Sequence, residues 1–136
     1  MDLVVSANNN EEVMVFPFVP PGTEFEDPWE YEEFKGIKGT LQLIGESGLR
    51  VVEISAFWPV NKNYAFVHPK SERDGNKYVE FFKKWQKKKV PIRLVMYSGR
   101  KEIINMACTF NLKWSYDKVG DISYSMIFKE YLLVKI

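Results

Sequence analysis

The chain has 136 residues and a formal net charge of +1, which suits one domain with one core and offers no overall attraction to nucleic acid or an anionic membrane. Charged residues at 27% and hydrophobic ones at 46% are globular values that exclude wholesale disorder. A single cysteine, Cys108, excludes an internal disulfide framework and any cysteine-based zinc cluster.

The opening Met1-Asp2-Leu3-Val4-Val5 lacks a basic n-region and a long apolar run, so no secretory signal is expected. No window holds the ~18 consecutive apolar residues of a membrane span. The expectation is a soluble protein made in a reducing cytoplasm. Residues 1–36 read as an extended, proline-rich and acidic N-terminal arm. A polar opening from Ser6 to Glu12 leads to the short apolar run Val13-Met14-Val15-Phe16. Pro17, Pro20, Pro21 and Pro28, with Gly22, then forbid a helix. The arm turns acidic at Glu24, Glu26, Asp27, Glu30, Glu32 and Glu33, interleaved with Phe25, Trp29, Tyr31 and Phe34. It reads either as a solvated loop with a few anchors in the core or as an arm lying on a neighbouring subunit.

Residues 37–136 read as a single β-rich domain. Leu41, Leu43 and Gly45 alternate with polar residues; alternation resumes at Leu49, Val51, Ile54 and Ala56 after Glu46-Ser47-Gly48. Two apolar runs joined by a short Gly/Ser turn predict a β-hairpin ended by Pro59. Asn61 to Asn76 is irregular. The period then changes: Tyr78, Phe81, Phe82 and Trp85 fall at i, i+3, i+4 and i+7, one face of a helix over about 75–89. Asp74 is its expected N-cap and Pro91 its stop. Ile92 to Tyr97 predicts a strand. Met106, Cys108, Phe110, Leu112 and Trp114 share one face of the next, and Ile122, Tyr124, Met126 and Phe128 one face of the last. The fold class is α+β, mainly β: an antiparallel meander or partly closed barrel with one amphipathic helix inserted between hairpins.

The sequence carries no evident catalytic constellation. His68 is the single histidine, and no Asp/Glu/Cys cluster stands at metal-ligand spacing. Cys108 sits on the core face of a strand and reads as a small buried hydrophobe. Gly36-Ile37-Lys38-Gly39-Thr40 lacks the order of a P-loop and precedes a strand. Asp121 follows Gly120 at a turn, with no histidine or second carboxylate set beside it by the sequence, and reads as a strand start. No catalytic, metal-binding or cofactor-binding residue is assigned, and no cofactor is expected.

A resemblance emerges from residue order. Leu41-Gln42-Leu43-Ile44-Gly45 and Gly48-Leu49-Arg50 are followed by Ile54-Ser55-Ala56-Phe57-Trp58-Pro59. Then come Tyr78-Val79 with Trp85, Ile92-Arg93-Leu94-Val95, Gly120-Asp121-Ile122-Ser123-Tyr124 and Lys129-Glu130-Tyr131. Over roughly residues 37 to 131 this resembles the N-terminal domain of the LysM-type baseplate proteins of contractile-tailed bacteriophages and defective prophage elements. The resemblance implies a non-enzymatic structural subunit of a phage baseplate, or of a tail-like particle such as a contractile bacteriocin, assembled in the bacterial cytoplasm. The implied partners are other copies around the tail axis, the tail tube, the central hub or spike, and the baseplate wedges. No small-molecule substrate or membrane is implied, and nucleic acid is not an expected partner. The family's LysM domain has no counterpart before Ile136, which implies a short version or a LysM function on another chain, and peptidoglycan binding is not carried over.

The candidate protein-interface residues are Phe16, Phe18, Phe25, Trp29, Glu32, Glu33, Lys84 and Lys88, with Leu133 and Ile136 at the closing end. The Val13–Val19 segment and Leu132 to Ile136 could pair with other chains or within this one. The six carboxylates of the arm and the six lysines of residues 77 to 89 would be electrostatic partners between adjacent copies. The alternative function is a small nucleic-acid-binding β domain using the lysine-rich helix.

Overall fold

The computed structural model describes residues 1–36, 39–62 and 64–132, with residues 30–46 described by their backbone alone. In chain order the elements are β1 (Asp2–Ala7), β2 (Glu12–Val15), β3 (Glu24–Glu26), β4 (Trp29–Gly36), β5 (Gly39–Ser47), β6 (Val51–Trp58), α1 (Asn76–Lys88), β7 (Ile92–Ser98), β8 (Lys101–Tyr116) and β9 (Ile122–Glu130). Seven strands form one antiparallel sheet in the order β2-β1-β7-β8-β9-β6-β3, and β4 and β5 form a separate two-stranded ribbon. The sheet does not close, and the protein is mainly β with one helix, the expected class.

The period-2 and period-3.6 patterns explain the inner face. Ile104, Met106 and Cys108 on β8 and Ile122, Tyr124, Met126 and Phe128 on β9 are buried, and their neighbours on each strand point away. β7, β8 and β9 are consecutive and paired, a true meander. Against that face α1 buries Tyr78, Val79, Phe81, Phe82 and Trp85 and leaves its lysines exposed. Each of these large side chains contributes roughly 1.5–3 kcal/mol on burial.

The N-cap is Gly75 rather than the expected Asp74, which stands one residue earlier and whose Oδ1 accepts the Asn76 backbone N–H at 3.1 Å. Gly75, between them, donates its N–H to Pro59 O at 2.8 Å. A Cβ at Gly75 would stand 2.8 Å from Trp58 Cβ, so only glycine lets the helix start press on the end of β6. Lys89 closes the other end in the left-handed region, with φ 57°.

Phe16, just beyond the β2 edge, meets Trp58 at 5.7 Å and Tyr124 at 6.0 Å, ring to ring. Trp58 lies on β6, next to the opposite edge. The sheet therefore bends into a trough around α1, with Phe16 bridging its two sides above the helix.

Three expectations are corrected. The arm over 1–36 is not an arm in its first half. β1 lies between β2 and β7, and Leu3 and Val5 are fully buried. Its partner β7 begins at Ile92, far along the chain, and the strand is only six residues long, so no local pattern announces it. Asn8, Asn9 and Asn10, all at positive φ (50°, 57° and 66°), turn the chain from β1 into β2; asparagine is among the few side chains that accept this region. The boundary at 36/37 also fails, because it cuts the β4–β5 pair, where Gly36 faces Gly39.

The predicted hairpin between β5 and β6 does not form. β6 has β9 on one side and β3 on the other, leaving no free edge for β5. The link between them is fixed elsewhere: Gly48 donates its N–H to Pro28 O at 2.8 Å. Alternation located both strands but could not assign their partners.

Candidate functional site

Asp121 is 1% exposed, the one buried carboxylate among the described residues. Its Oδ1 accepts the Val60 backbone N–H at 3.0 Å and its Oδ2 accepts the Tyr64 hydroxyl at 2.6 Å. Lys62 Nζ stands 3.8 Å from Oδ1 and donates to Val119 O. The turn itself is closed by Asp117, whose Oδ1 accepts the N–H groups of Val119 and Asp121 at 3.0 and 2.9 Å. Gly120, at φ 89°, supplies the left-handed residue that this turn requires. The acceptance of its hydrogen bond by Asp121 raises the Tyr64 phenol above its ordinary value of 10.0, with burial and the nearby carboxylate charges adding to the effect.

Asp121 thus does more than begin a strand. It ties the loop after β6 to the β8–β9 turn, and both its oxygens are engaged in doing so. Val60, Lys62 and Tyr64 were not singled out from sequence. Lys62 and Tyr64 lie in the stretch read only as irregular, with Val60 just before it, and the one signal there was a tyrosine and a lysine among asparagines.

Tyr64 in turn anchors an aromatic patch on the sheet face opposite α1. Its ring is 5.5 Å from Phe57 and 5.3 Å from Phe66, and Phe18 lies 5.0 Å from Phe57 and 5.2 Å from Phe66. Phe57 points outward because its neighbours Ala56 and Trp58 belong to the core side. Phe66 is 57% exposed. Such a patch is a surface that excludes water readily when covered.

Lysines gather on α1. α1 presents Lys77, Lys83, Lys84, Lys87 and Lys88, with Lys89 at its cap. Lys84 pairs with Glu12 at 2.9 Å and Lys77 with Glu72 at 3.4 Å, both within the chain. Lys83 stands over the Trp114 ring at 4.9 Å and Lys88 over Trp85 at 4.8 Å. Across the sheet, Glu24 of β3 sits directly opposite Glu53 of β6. Asp27 is paired with Arg50 at 2.5 Å.

The expected interface residues separate into several groups. Phe16 is 1% exposed and belongs to the core, which corrects its assignment to a surface: it continues the inward alternation of Met14, donates its N–H to Leu3 O at 2.9 Å, and packs its ring on Tyr78 of α1. The Val13–Val15 part of the segment considered for pairing lies in β2 and pairs with β1. Phe18 joins the aromatic patch. Phe25 and Trp29 are exposed. Lys84 and Lys88 lie on the outer face of α1, Lys84 held by Glu12 rather than free for the acidic segment. The side chains of Glu32 and Glu33, and residues Leu133 and Ile136, lie outside the described residues. Cys108 is fully buried, and burial pushes its thiol up to about 12, nearby Arg93 opposing only weakly. Among the described residues no group of three or more His, Cys, Asp or Glu side chains could hold a metal ion, and no helix is long and apolar enough to cross a membrane.

Compared with protein-family models and with curated proteins, the chain matches none.

Proposed function

We propose that this protein is a non-enzymatic structural subunit of a phage or tail-like particle baseplate, joining the tail tube and hub to the surrounding wedges. The reading rests on the resemblance in residue order, and one structural observation supports it. Segments of that pattern far apart in the chain converge on one packed unit. Trp58 of Ile54–Pro59 stacks on Tyr78 of α1 at 5.1 Å and on Tyr124 of the closing stretch at 4.0 Å. The pattern therefore describes a rigid scaffold, and the exposed aromatic patch and charged faces are surfaces such a scaffold can offer to neighbours. Asp121, the one buried carboxylate among the described residues, holds two loops together, in keeping with a mechanical role.

The test is to tag the chain in the bacterium that encodes it and fractionate induced particles. Co-sedimentation with tails, with the tag at one tail end by electron microscopy, is the expected result. Normal tails lacking the protein would reject the reading. Flanking reading frames for a tape measure and a hub would support it further.

A second reading, a nucleic-acid-binding domain, is favoured by one observation: among the described residues Lys83, Lys87, Lys88 and Lys89 form no ion pair with a carboxylate. Salt-dependent retention on DNA or heparin would support it.

A further inference from the structure

We infer that the lysine face of α1 docks on the acidic β3–β6 edge of a second copy of this chain, so that copies join head to tail. The proposal deepens the assembly reading above and rests on it, and the experiment below separates the two.

Two surfaces carry the inference. On α1, Lys83 and Lys87 stand one turn apart with Lys88 and Lys89 beside them, all exposed and without a carboxylate in ion-pair reach among the described residues. On the far side, Glu24 and Glu26 of β3 and Glu53 of β6 face away from α1, because Val52 and Ile54 on either side of Glu53 are buried beneath the helix. Glu24 and Glu53 are cross-strand partners, a like-charge pair that destabilises an isolated sheet. The three carboxylates line a groove of about 380 Å³ with Phe25 and Val51, and among the described residues none of them has a cation in ion-pair reach. Edge protection accounts for charge on β3. It does not call for Glu53, on the inner neighbour, to repeat that charge.

The balance of charge selects the occupant. The whole chain carries only +1, so the lysine face is not part of a general cationic field that would draw a polyanion. Its excess is matched by a deficit on the same molecule, and the complement of each surface is the other surface of another copy. Because the two lie on opposite faces of the sheet, one molecule cannot satisfy both by a two-fold dimer. The contact is heterologous, and repetition gives a ring or an open chain.

The experiment is sedimentation velocity on the full chain at rising salt, with two neutralised variants. One is Lys83→Gln with Lys87→Gln and Lys88→Gln; the other is Glu24→Gln with Glu26→Gln and Glu53→Gln. Wild type is expected to form species larger than a dimer at low salt, with apparent affinity falling roughly tenfold or more as salt screens the contact. Each variant alone is expected to be monomeric with an unchanged melting transition. Their equimolar mixture is expected to stop at one-to-one pairs, since each variant keeps only one competent face. A wild type that stays monomeric, an association untouched by both variants, or a mixture without pairs overturns the proposal. A monomeric wild type that still co-sediments with tails rejects this contact and leaves the baseplate reading standing. Retention of the wild type on DNA, abolished by the lysine variant alone, assigns that face to nucleic acid instead and also overturns it.

Discussion

Tyr64 donates its hydroxyl to Asp121 Oδ2 at 2.6 Å, joining a loop without regular structure to a strand start that is 1% exposed. Replacing Asp121 with Ala strands the Val60 N–H and the Tyr64 hydroxyl together and is expected to cost roughly 2–4 kcal/mol in urea unfolding. Asp121→Asn keeps one acceptor and should cost less. Equal losses for the two would show that the carboxylate's hydrogen bonds do not hold the loop.

The same bond makes a pH prediction. The Tyr64 phenol lies above its ordinary 10.0, so the neutral form is favoured in the fold. Its contribution to stability is fully present below pH 10 and is lost as pH rises through the higher folded value. Absorbance titration should find one late-ionising tyrosine moved back toward 10 by Asp121→Asn. An unmoved titration curve would sever the link.

Two buried tyrosines should respond in opposite directions to loss of the hydroxyl. Tyr78 donates to Val15 O and accepts the Glu72 N–H at 3.0 Å, so Tyr78→Phe should cost about 1–2 kcal/mol. The Tyr124 hydroxyl has no hydrogen-bond partner among the described residues. Tyr124→Phe should therefore be neutral or stabilise by up to about 1 kcal/mol. Thermal melts of the two variants read the difference, and a clear loss for Tyr124→Phe would refute the burial geometry.

Gly75→Ala adds a Cβ 2.8 Å from Trp58 Cβ and 2.9 Å from Trp58 O. The helix start must shift to admit it, at roughly 1–3 kcal/mol. A melting point equal to wild type would mean that the helix start and β6 are less closely apposed.

Cys108 should resist alkylation in the native protein. With its thiol pushed up to about 12 by burial, the thiolate is about one part in 10⁴ at pH 8, and the sulfur is out of reach of solvent. Labelling should proceed only as fast as the β7–β8–β9 region opens. Rapid labelling without denaturant would contradict that packing.

What could be read in the residues was whatever repeats locally. Tyr78, Phe81, Phe82 and Trp85 declare their helix through spacing, and Ile122 to Phe128 declare their buried face by strict alternation. Partners cannot be read this way: β5 and β6 look like a hairpin because they are adjacent, and only the competition of β3 and β9 for β6 separates them. Asp121 escaped for the same reason. Its two loop partners stand about sixty residues upstream, and nothing in Gly120-Asp121-Ile122 distinguishes a buried carboxylate from an exposed one.

The position of β1 has a consequence in time. It precedes one of its two neighbours, β7, by a long stretch of chain, for β7 begins at Ile92 and ends at Ser98. Until that stretch emerges from the ribosome, β1 can pair only with β2, and a two-stranded hairpin is marginal by itself. The apolar side chains of Leu3 and Val5 therefore wait uncovered while the residues between β2 and β7 are made, so this strand completes its pairing long after its own synthesis.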